Sequence, residues 1–133
     1  MRILIAYNDT PSSQKALELA MYHSSIINKY IKIYVITSLE DSKSEKDIQN
    51  IDEVRKYQDK IKKHISEQNI DCETHILIRG VTAGEDIVEF ANENNIDHIY
   101  IGIMKESRVG KFIIGSTAQY VILKAKCAVV SIK

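Results

Sequence analysis

The sequence predicts a single α/β domain in which helices cover both faces of a five-stranded parallel sheet. Short apolar runs rich in Val, Ile and Tyr alternate with segments of helical spacing, and several of these runs are apolar at both odd and even positions. Strand–helix–strand units of this kind form parallel sheets with right-handed crossovers. The 133 residues accommodate one domain, residues 1–133, without a linker or repeat.

The first half of the chain is predicted to supply two strands and two helices. Arg2–Tyr7 (RILIAY) has the composition of a central strand, and the turn-forming run NDTPSS leads into a helix over about Ser12–Asn28. Ile31–Ile36 (IKIYVI) is the second strand, and a polar stretch then enters a helix over about Ser44–Gln68. The inward face of that helix is predicted from four apolar residues at helical spacing: Val54, Tyr57, Ile61 and Ile65.

The second half repeats the alternation and closes the sheet. Cys72–Ile78 is the third strand, a helix capped by Thr82 runs to about Asn94, and His98–Ile103 is the fourth strand. A polar, basic loop follows, and then a helix that opens with Gly-Ser-Thr. Ala128–Ile132 is the fifth strand. The predicted inward stripe of the last helix comprises Ala118, Val121, Ile122 and Ala125.

The amino-acid composition argues against several classes of function. Lys and Arg together number 18, as do Asp and Glu, so no charge excess favours binding to nucleic acid or to a membrane surface. No apolar run approaches the ~18 residues that a membrane span needs. Cys72 and Cys127 lie far apart, without metal-ligand spacing, and are interpreted as buried thiols of a reducing compartment. The composition therefore predicts a soluble, cytoplasmic protein.

The segment from the fourth strand to the last helix carries the functional hypothesis. Gly102 ends the strand, and Gly115, Ser116 and Thr117 open the helix. Ligands of open α/β sheets bind beyond the carboxyl ends of the strands, and a helix N-terminus there offers free N–H groups to a phosphate. The competing interpretation is a helix N-cap, in which the hydroxyl groups satisfy those N–H groups without any ligand.

Asp9 is the acidic residue at the tip of the first strand. The tip of the fourth strand lies beside it in a doubly wound sheet, so Asp9 is predicted to face the Gly102 loop and to accept hydrogen bonds from a base amine or a ribose hydroxyl. An Asx-turn or an N-cap for the first helix explains the same residue equally well.

Several catalytic and metal-binding patterns are missing from the sequence. It has no GxxxxGK[ST] phosphate loop and no GxGxxG after the first strand, which argues against P-loop hydrolysis and Rossmann dehydrogenase chemistry. The four histidines lack metal-ligand spacing and are interpreted as structural residues: His23, His64, His75 and His98. No catalytic residue and no metal ligand is predicted.

The chain resembles the universal stress protein family over its full length. The resemblance includes the opening IAYNDTPSSQKALELA and the ending AKCAVVSIK. It also includes the motif of nucleotide-binding members, Gly, two residues, Gly, nine residues and Gly-Ser, onto which Gly102, Lys105 and Gly115-Ser116 fall. The resemblance implies the strand order 3-2-1-4-5, four flanking helices, and a homodimer paired through Ala128–Ile132.

It further implies a regulatory ATP-binding protein of the stress response, with Mg²⁺ or Mn²⁺ as an accompanying ion and an unidentified protein partner. Asp9 would contact the adenosine, the chain around Thr37 and Ser38 would meet the adenine edge through backbone groups, and the start of the last helix would hold the phosphates. The implied nucleotide-binding residues are Asn8, Asp9, Thr10, Thr37, Ser38, Gly102, Met104, Lys105, Gly115, Ser116 and Thr117.

Lys105 departs from the motif because it stands where nucleotide-binding members carry the second glycine. Its ammonium, helped by Arg108 and Lys111, would replace a backbone contact to the phosphates, or its stem would close the cleft. The alternative function is therefore a dimeric interaction module of the same family that binds no nucleotide. Enzymatic activity is expected to be at most slow ATP hydrolysis or autophosphorylation on Ser116 or Thr117, because no positioned general base is evident.

Overall fold

A computed structural model describes residues 1–39 and 45–133, and for residues 45–49 and 106 it describes the backbone alone. The elements, in chain order, are β1 (Arg2–Ala6), α1 (Pro11–Ile26), β2 (Lys32–Ser38), α2 (Glu45–Glu67), β3 (Asp71–Leu77), α3 (Ala83–Glu93), β4 (His98–Gly102), β5 (Met104–Glu106), β6 (Phe112–Ile114), α4 (Ser116–Lys124) and β7 (Ala128–Ile132). The predicted α2 start at Ser44 lies outside the described residues.

Five parallel strands form the main sheet in the order β3-β2-β1-β4-β7. This confirms the predicted fold class and strand order, since β7 is the predicted fifth strand. β2 and β3 extend the sheet on one side of β1, and β4 and β7 extend it on the other side. The crevice between the tips of β1 and β4 is therefore the switch point at which ligands of such sheets bind.

The sheet separates two hydrophobic cores. Odd-numbered residues of β1, such as Ile3 and Ile5, pack with α1 and α2, whereas Leu4 and Ala6 pack with α3 and α4. Both faces of β1 are buried, which explains why its sequence is apolar at both parities. Of the predicted inward residues of α2, Ile61 and Ile65 lie in the first core, Tyr57 packs against it partly buried, and Val54 is buried.

The basic loop after β4 is in fact a short antiparallel hairpin. Met104–Glu106 pairs with Phe112–Ile114, and the turn is closed by the N–H of Gly110, which donates to Ser107 O at 3.0 Å. At its base, Gly115 N donates to Ile103 O at 3.0 Å. The prediction of an irregular loop was wrong here because each strand is only three residues long and β6 is exposed, so neither gives a buried strand pattern.

Two smaller predictions also need correction. Thr37 and Ser38 do not lie beyond the second strand but belong to β2, where they stand opposite Ile76 and Leu77 of β3. Ile122 belongs to the predicted inward stripe of the last helix, yet its side chain is 43% exposed. The inward residues Ala118 and Val121 suffice to pack α4 because it spans only nine residues at the edge of the sheet.

A helix that crosses a bilayer needs about 20 consecutive, predominantly apolar residues. Within residues 1–39 and 45–133, no helix is both long and apolar enough to span a membrane.

Candidate functional site

A cavity of about 820 Å³ opens at the carboxyl edge of the sheet, between the tips of β1, β2 and β4. This volume lies within the range of small-molecule sites. Its walls come from the β1–α1 turn, the end of β2, the start of α3, the hairpin and the start of α4. The cavity therefore occupies the switch point that the strand order creates.

One end of the cavity is apolar. Ala6, Ile36, Ala83 and Ile87 line it, and Ile36 and Ile87 are almost completely buried. These residues come from β1, β2 and α3. Apolar walls of this kind suit the faces of a planar ring, because stacking there removes apolar surface from water.

Another part of the wall is formed by the start of α4. Gly115 is the N-cap of this helix, and no side chain accepts a hydrogen bond from its first turn. Ser116, Thr117 and Ala118 line the cavity, and their backbone N–H groups have no acceptor within the part of the chain that the structure describes. The proposed capping role of Ser116 and Thr117 is therefore not realised. The helix presents unsatisfied donors and its positive dipole end to the cavity.

The start of α1 borders the same cavity but is capped by side chains of the β1–α1 turn and of α1 itself. Thr10 Oγ1 accepts a hydrogen bond from Ser13 N at 3.3 Å, and Ser13 Oγ in turn accepts one from Thr10 N at 3.0 Å, which completes a capping box. Pro11 at the first helical position has no N–H to satisfy. Of the three helix starts around the cavity, those of α1 and α3 have side-chain caps at Thr10 and Thr82, whereas that of α4 has none.

Gly102 and Gly115 have different structural roles. A Cβ at Gly102 would lie 2.4 Å from the carbonyl carbon of Ser12 and 2.5 Å from Ser12 Oγ, so this glycine allows α1 to pack on β4. A Cβ at Gly115 would meet only Lys105 Cβ, at 3.9 Å. Gly102 is an implied nucleotide-binding residue, but the space beside its Cα is occupied by Ser12 of α1, whereas Gly115 borders open space.

Three lysines line the cavity: Lys15, Lys105 and Lys133. Lys105 lies on β5, opposite Ile113 of β6, and the hairpin brings it beside Gly115. Arg108 and Lys111 lie in the distal turn of the hairpin and are not part of the cavity wall. Of the basic hairpin residues, Lys105 is therefore the one placed to contact a ligand phosphate.

Asn8, not Asp9, lies on the cavity wall beside Thr10. The backbone of Asp9 is left-handed (φ 59°), and its carboxylate accepts hydrogen bonds from Tyr7 Oη at 3.2 Å and Gln14 Nε2 at 3.3 Å. Burial and the charge of Asp9 raise the pKa of Tyr7 to about 12, so this phenol stays a donor. The left-handed turn directs Asp9 toward α1, and the cavity receives Asn8 instead.

Thr37 and Ser38 point to opposite faces of β2. Thr37 is buried, and its hydroxyl donates to Tyr7 O at 2.8 Å, so it holds the two strand tips together without lining the cavity. Ser38 does line the cavity, and its hydroxyl donates to Asp86 Oδ2 at 2.8 Å. Asp86 is completely buried in α3, and sequence reasoning missed this because an acidic residue in an amphipathic helix is normally solvated.

Two of the histidines lie within hydrogen-bond distance of neighbouring side chains. His23 Nδ1 lies 2.6 Å from Tyr100 Oη, and His75 Nε2 lies 3.0 Å from Glu73 Oε1. Within the described residues, no three His, Cys, Asp or Glu side chains are grouped so that they could hold a metal ion.

Comparison with known proteins points to one family. The family described as "Universal stress protein family" matches the chain over residues 1–133. A universal stress protein of Methanocaldococcus jannaschii is 36% identical over 74 residues, which are 56% of this chain and 42% of that protein. The match thus spans less than half the length of that relative.

Two solved structures from Archaeoglobus fulgidus extend the similarity to the whole chain. One universal stress protein is 33% identical, with a TM-score of 0.81, and the match covers 100% of this chain and 98% of the other. A second, described as a complex with dAMP, is 30% identical with a TM-score of 0.76 and the same coverage.

Proposed function

This chain belongs to the universal stress protein family, and on that premise we propose that it binds ATP and acts as a regulatory protein of the stress response. The observation that carries the proposal is the open N-terminus of α4, whose unsatisfied N–H groups face a cavity lined by three lysines. Backbone donors at a helix start combined with ammonium groups are suited to phosphates.

The cavity also has the polarity that a nucleotide requires. Its apolar end, beside Ile36 and Ile87, accommodates a base, and its cationic end, beside Lys105 and Ser116, accommodates the phosphates. Asn8 and Thr10 lie on the wall contributed by the β1–α1 turn and are assigned to the ribose region. A relative that matches the whole chain at 30% identity is described in complex with dAMP, which supports an adenine nucleotide as the ligand.

Lys105 is assigned to the phosphates in place of the backbone contact that a glycine would provide. Its position on β5 beside Gly115 supports this role. Met104 O accepts a hydrogen bond from Ser12 Oγ at 3.4 Å, so β5 is fixed to the start of α1. Mg²⁺ or Mn²⁺ would bind through the phosphate oxygens, because the described side chains offer no ligand cluster of their own.

The proposal includes a homodimer and a cytoplasmic location. β7 is an edge strand of the sheet, and Val129, Val130 and Ile132 are only half-buried in the single chain. Exposed edges of this kind pair readily with a second strand, so Ala128–Ile132 is assigned to the dimer interface. Free thiols at Cys72 and Cys127 agree with a reducing compartment.

Calorimetric titration with ATP, in the presence and absence of Mg²⁺, tests the proposal. Gly115→Val places a branched side chain at the start of α4, and we expect it to weaken ATP binding by about tenfold or more. Gly115→Ala is the matched control, because its Cβ has only an ordinary contact with Lys105 Cβ. A wild-type protein that binds no ATP under either condition would favour the interaction module without nucleotide.

A further inference from the structure

The polar group at the apolar end of the cavity is held by a fully buried carboxylate. Ser38 lines the cavity and donates its hydroxyl hydrogen to Asp86 Oδ2 at 2.8 Å. Asp86 is 0% exposed and is not itself on the cavity wall. The contact between Asp86 and a ligand therefore has to pass through Ser38.

The second oxygen of Asp86 is directed at Arg79. Asp86 Oδ1 lies 3.4 Å from Arg79 Nε, and among the described residues it has no hydrogen-bond partner of good geometry. A carboxylate beside a guanidinium accepts hydrogen bonds and donates none. Arg79 therefore sets the orientation of the carboxylate, and Asp86 Oδ2 fixes the direction of the Ser38 hydroxyl.

A serine hydroxyl has one hydrogen and two lone pairs. Because the hydrogen of Ser38 is committed to Asp86, the oxygen has only lone pairs to offer to the cavity. The backbone of Leu39 is directed at β3, since Leu39 N donates to Leu77 O at 2.8 Å, and by alternation along the strand the backbone groups of Ser38 face β1. Ser38 is thus a fixed acceptor among apolar neighbours.

The position of Ser38 assigns it to the base and not to the phosphates. β2 is separated from β4 by β1, and adjacent strands lie about 4.8 Å apart, so the tip of β2 is roughly 10 Å from the strand that leads to the hairpin. That distance matches the separation between a nucleobase edge and the phosphate groups attached through its ribose. The neighbours of Ser38 on the wall, Ile36 and Ile87, are apolar.

We infer that Ser38 and Asp86 select the nucleobase: they favour a base that presents an exocyclic amine, such as a 6-aminopurine, over a 6-oxopurine. This inference rests on the proposed function. The amine donates to the lone pairs of Ser38, whereas the carbonyl oxygen of a 6-oxopurine would place two acceptors against each other. Ser38 contacts the base, and Asp86 acts as a positioning residue behind it.

Titration with ATP and inosine triphosphate (ITP) tests this inference, because their bases differ in the amine or oxo group at C6 and the associated protonation of N1. For the wild-type protein we expect ATP to bind about tenfold more tightly than ITP, or more, since one buried hydrogen bond is gained and one repulsive contact avoided. Ser38→Ala removes the acceptor, and we expect the ratio of the two affinities to fall to within about threefold of one.

Asp86→Asn supplies an isosteric second variant that acts through Ser38. The amide oxygen is expected to stay toward Arg79, which leaves the amide NH₂ facing Ser38 and frees the Ser38 hydrogen to turn toward the cavity. The preference should then shift toward ITP, a change that a purely structural role of Asp86 would not produce. Ser116→Ala is the control at the phosphate end, and it should weaken ATP and ITP equally.

The outcomes separate the two proposals. If neither triphosphate binds to the wild-type protein, the proposed function fails and the inference fails with it. If ATP binds and its ratio to ITP is unchanged in folded Ser38→Ala and Asp86→Asn proteins, the inference alone is overturned. Circular dichroism of each variant establishes that the protein compared is folded.

Discussion

Gly102→Ala offers the sharpest test of how closely α1 packs on the sheet. The added Cβ would lie 2.4 Å from the carbonyl carbon of Ser12, 2.5 Å from Ser12 Oγ and 2.7 Å from Ser12 Cβ. Real Cβ atoms do not approach other heavy atoms below 3.0 Å, and the first of these contacts is with backbone, so rotation of a side chain cannot relieve it. Either α1 or β4 has to move.

The cost follows from the packing of this junction. Overpacking a dense interior costs about 1–3 kcal/mol, and a clash with backbone belongs at the upper end of that range. We therefore expect Gly102→Ala to lower the free energy of unfolding by about 3 kcal/mol. With a urea m-value of about 2 kcal/mol/M, the midpoint of the transition would fall by roughly 1.5 M.

Urea unfolding followed by circular dichroism measures this loss, with Gly115→Ala as the matched control. At Gly115 the new Cβ meets only Lys105 Cβ, at 3.9 Å. Alanine is a poorer N-cap residue than glycine, which lowers stability, but it also reduces the entropy of the unfolded chain, which raises stability. Because the two effects oppose each other, we expect a free energy of unfolding within about 1 kcal/mol of wild type. Equal midpoints for the two variants would refute the assignment of Gly102 to helix packing.

Three further predictions concern the site and the surface. Lys105→Ala should weaken ATP binding about fivefold or more. Lys111→Ala makes the same charge change in the distal turn and should leave the affinity within about twofold of wild type. Equal losses would show that the net charge of the hairpin matters and not a contact at Lys105. Burial raises the pKa of the Cys72 thiol to about 11, so at pH 8 a thiol reagent should label Cys127 first and Cys72 only on unfolding, as peptide mapping would reveal. The hydrogen bond from Lys32 lowers the pKa of Glu73. Above pH 5, Glu73→Gln should therefore lower the free energy of unfolding in urea by up to about 1 kcal/mol, and this difference from wild type should vanish as the pH falls through the lowered pKa. A constant difference at all pH values would contradict this prediction.

The sequence predicted the fold well because the signals of its main elements are local. β1 is buried on both faces, and its neighbours in the chain carry helical spacing, so alternation alone gave the parallel sheet. Three of the four predicted inward residues of α2 are buried for the same reason: Val54, Ile61 and Ile65. The hairpin was missed because β5 and β6 are short and their pairing depends on a turn at Gly110, whose left-handed backbone (φ 75°) has no unique sequence pattern.

The cavity was predicted to the level of its segments but not of every side chain. Gly115, Ser116 and Lys105 lie on its wall because they belong to the hairpin and the helix start that follow β4, and their contact with a ligand stays a prediction. Whether Asn8 or Asp9 faces the cavity depends on one left-handed residue, which sequence spacing does not specify. The buried position of Asp86 depends on Arg79 and Ser38, and neither partner is its neighbour in the helical pattern.

Under the proposed function, the ligand at the open start of α4 is a component of the folded protein. Whatever anion fills it supplies hydrogen-bond acceptors that the described chain does not provide, and it binds the folded state but not the unfolded one. The free energy of unfolding then rises with ligand concentration, by about 2.7 kcal/mol at one hundred times Kd. In a cell, resistance to unfolding and to proteolysis would therefore track the supply of that ligand, and the lifetime of the protein would become a measure of it.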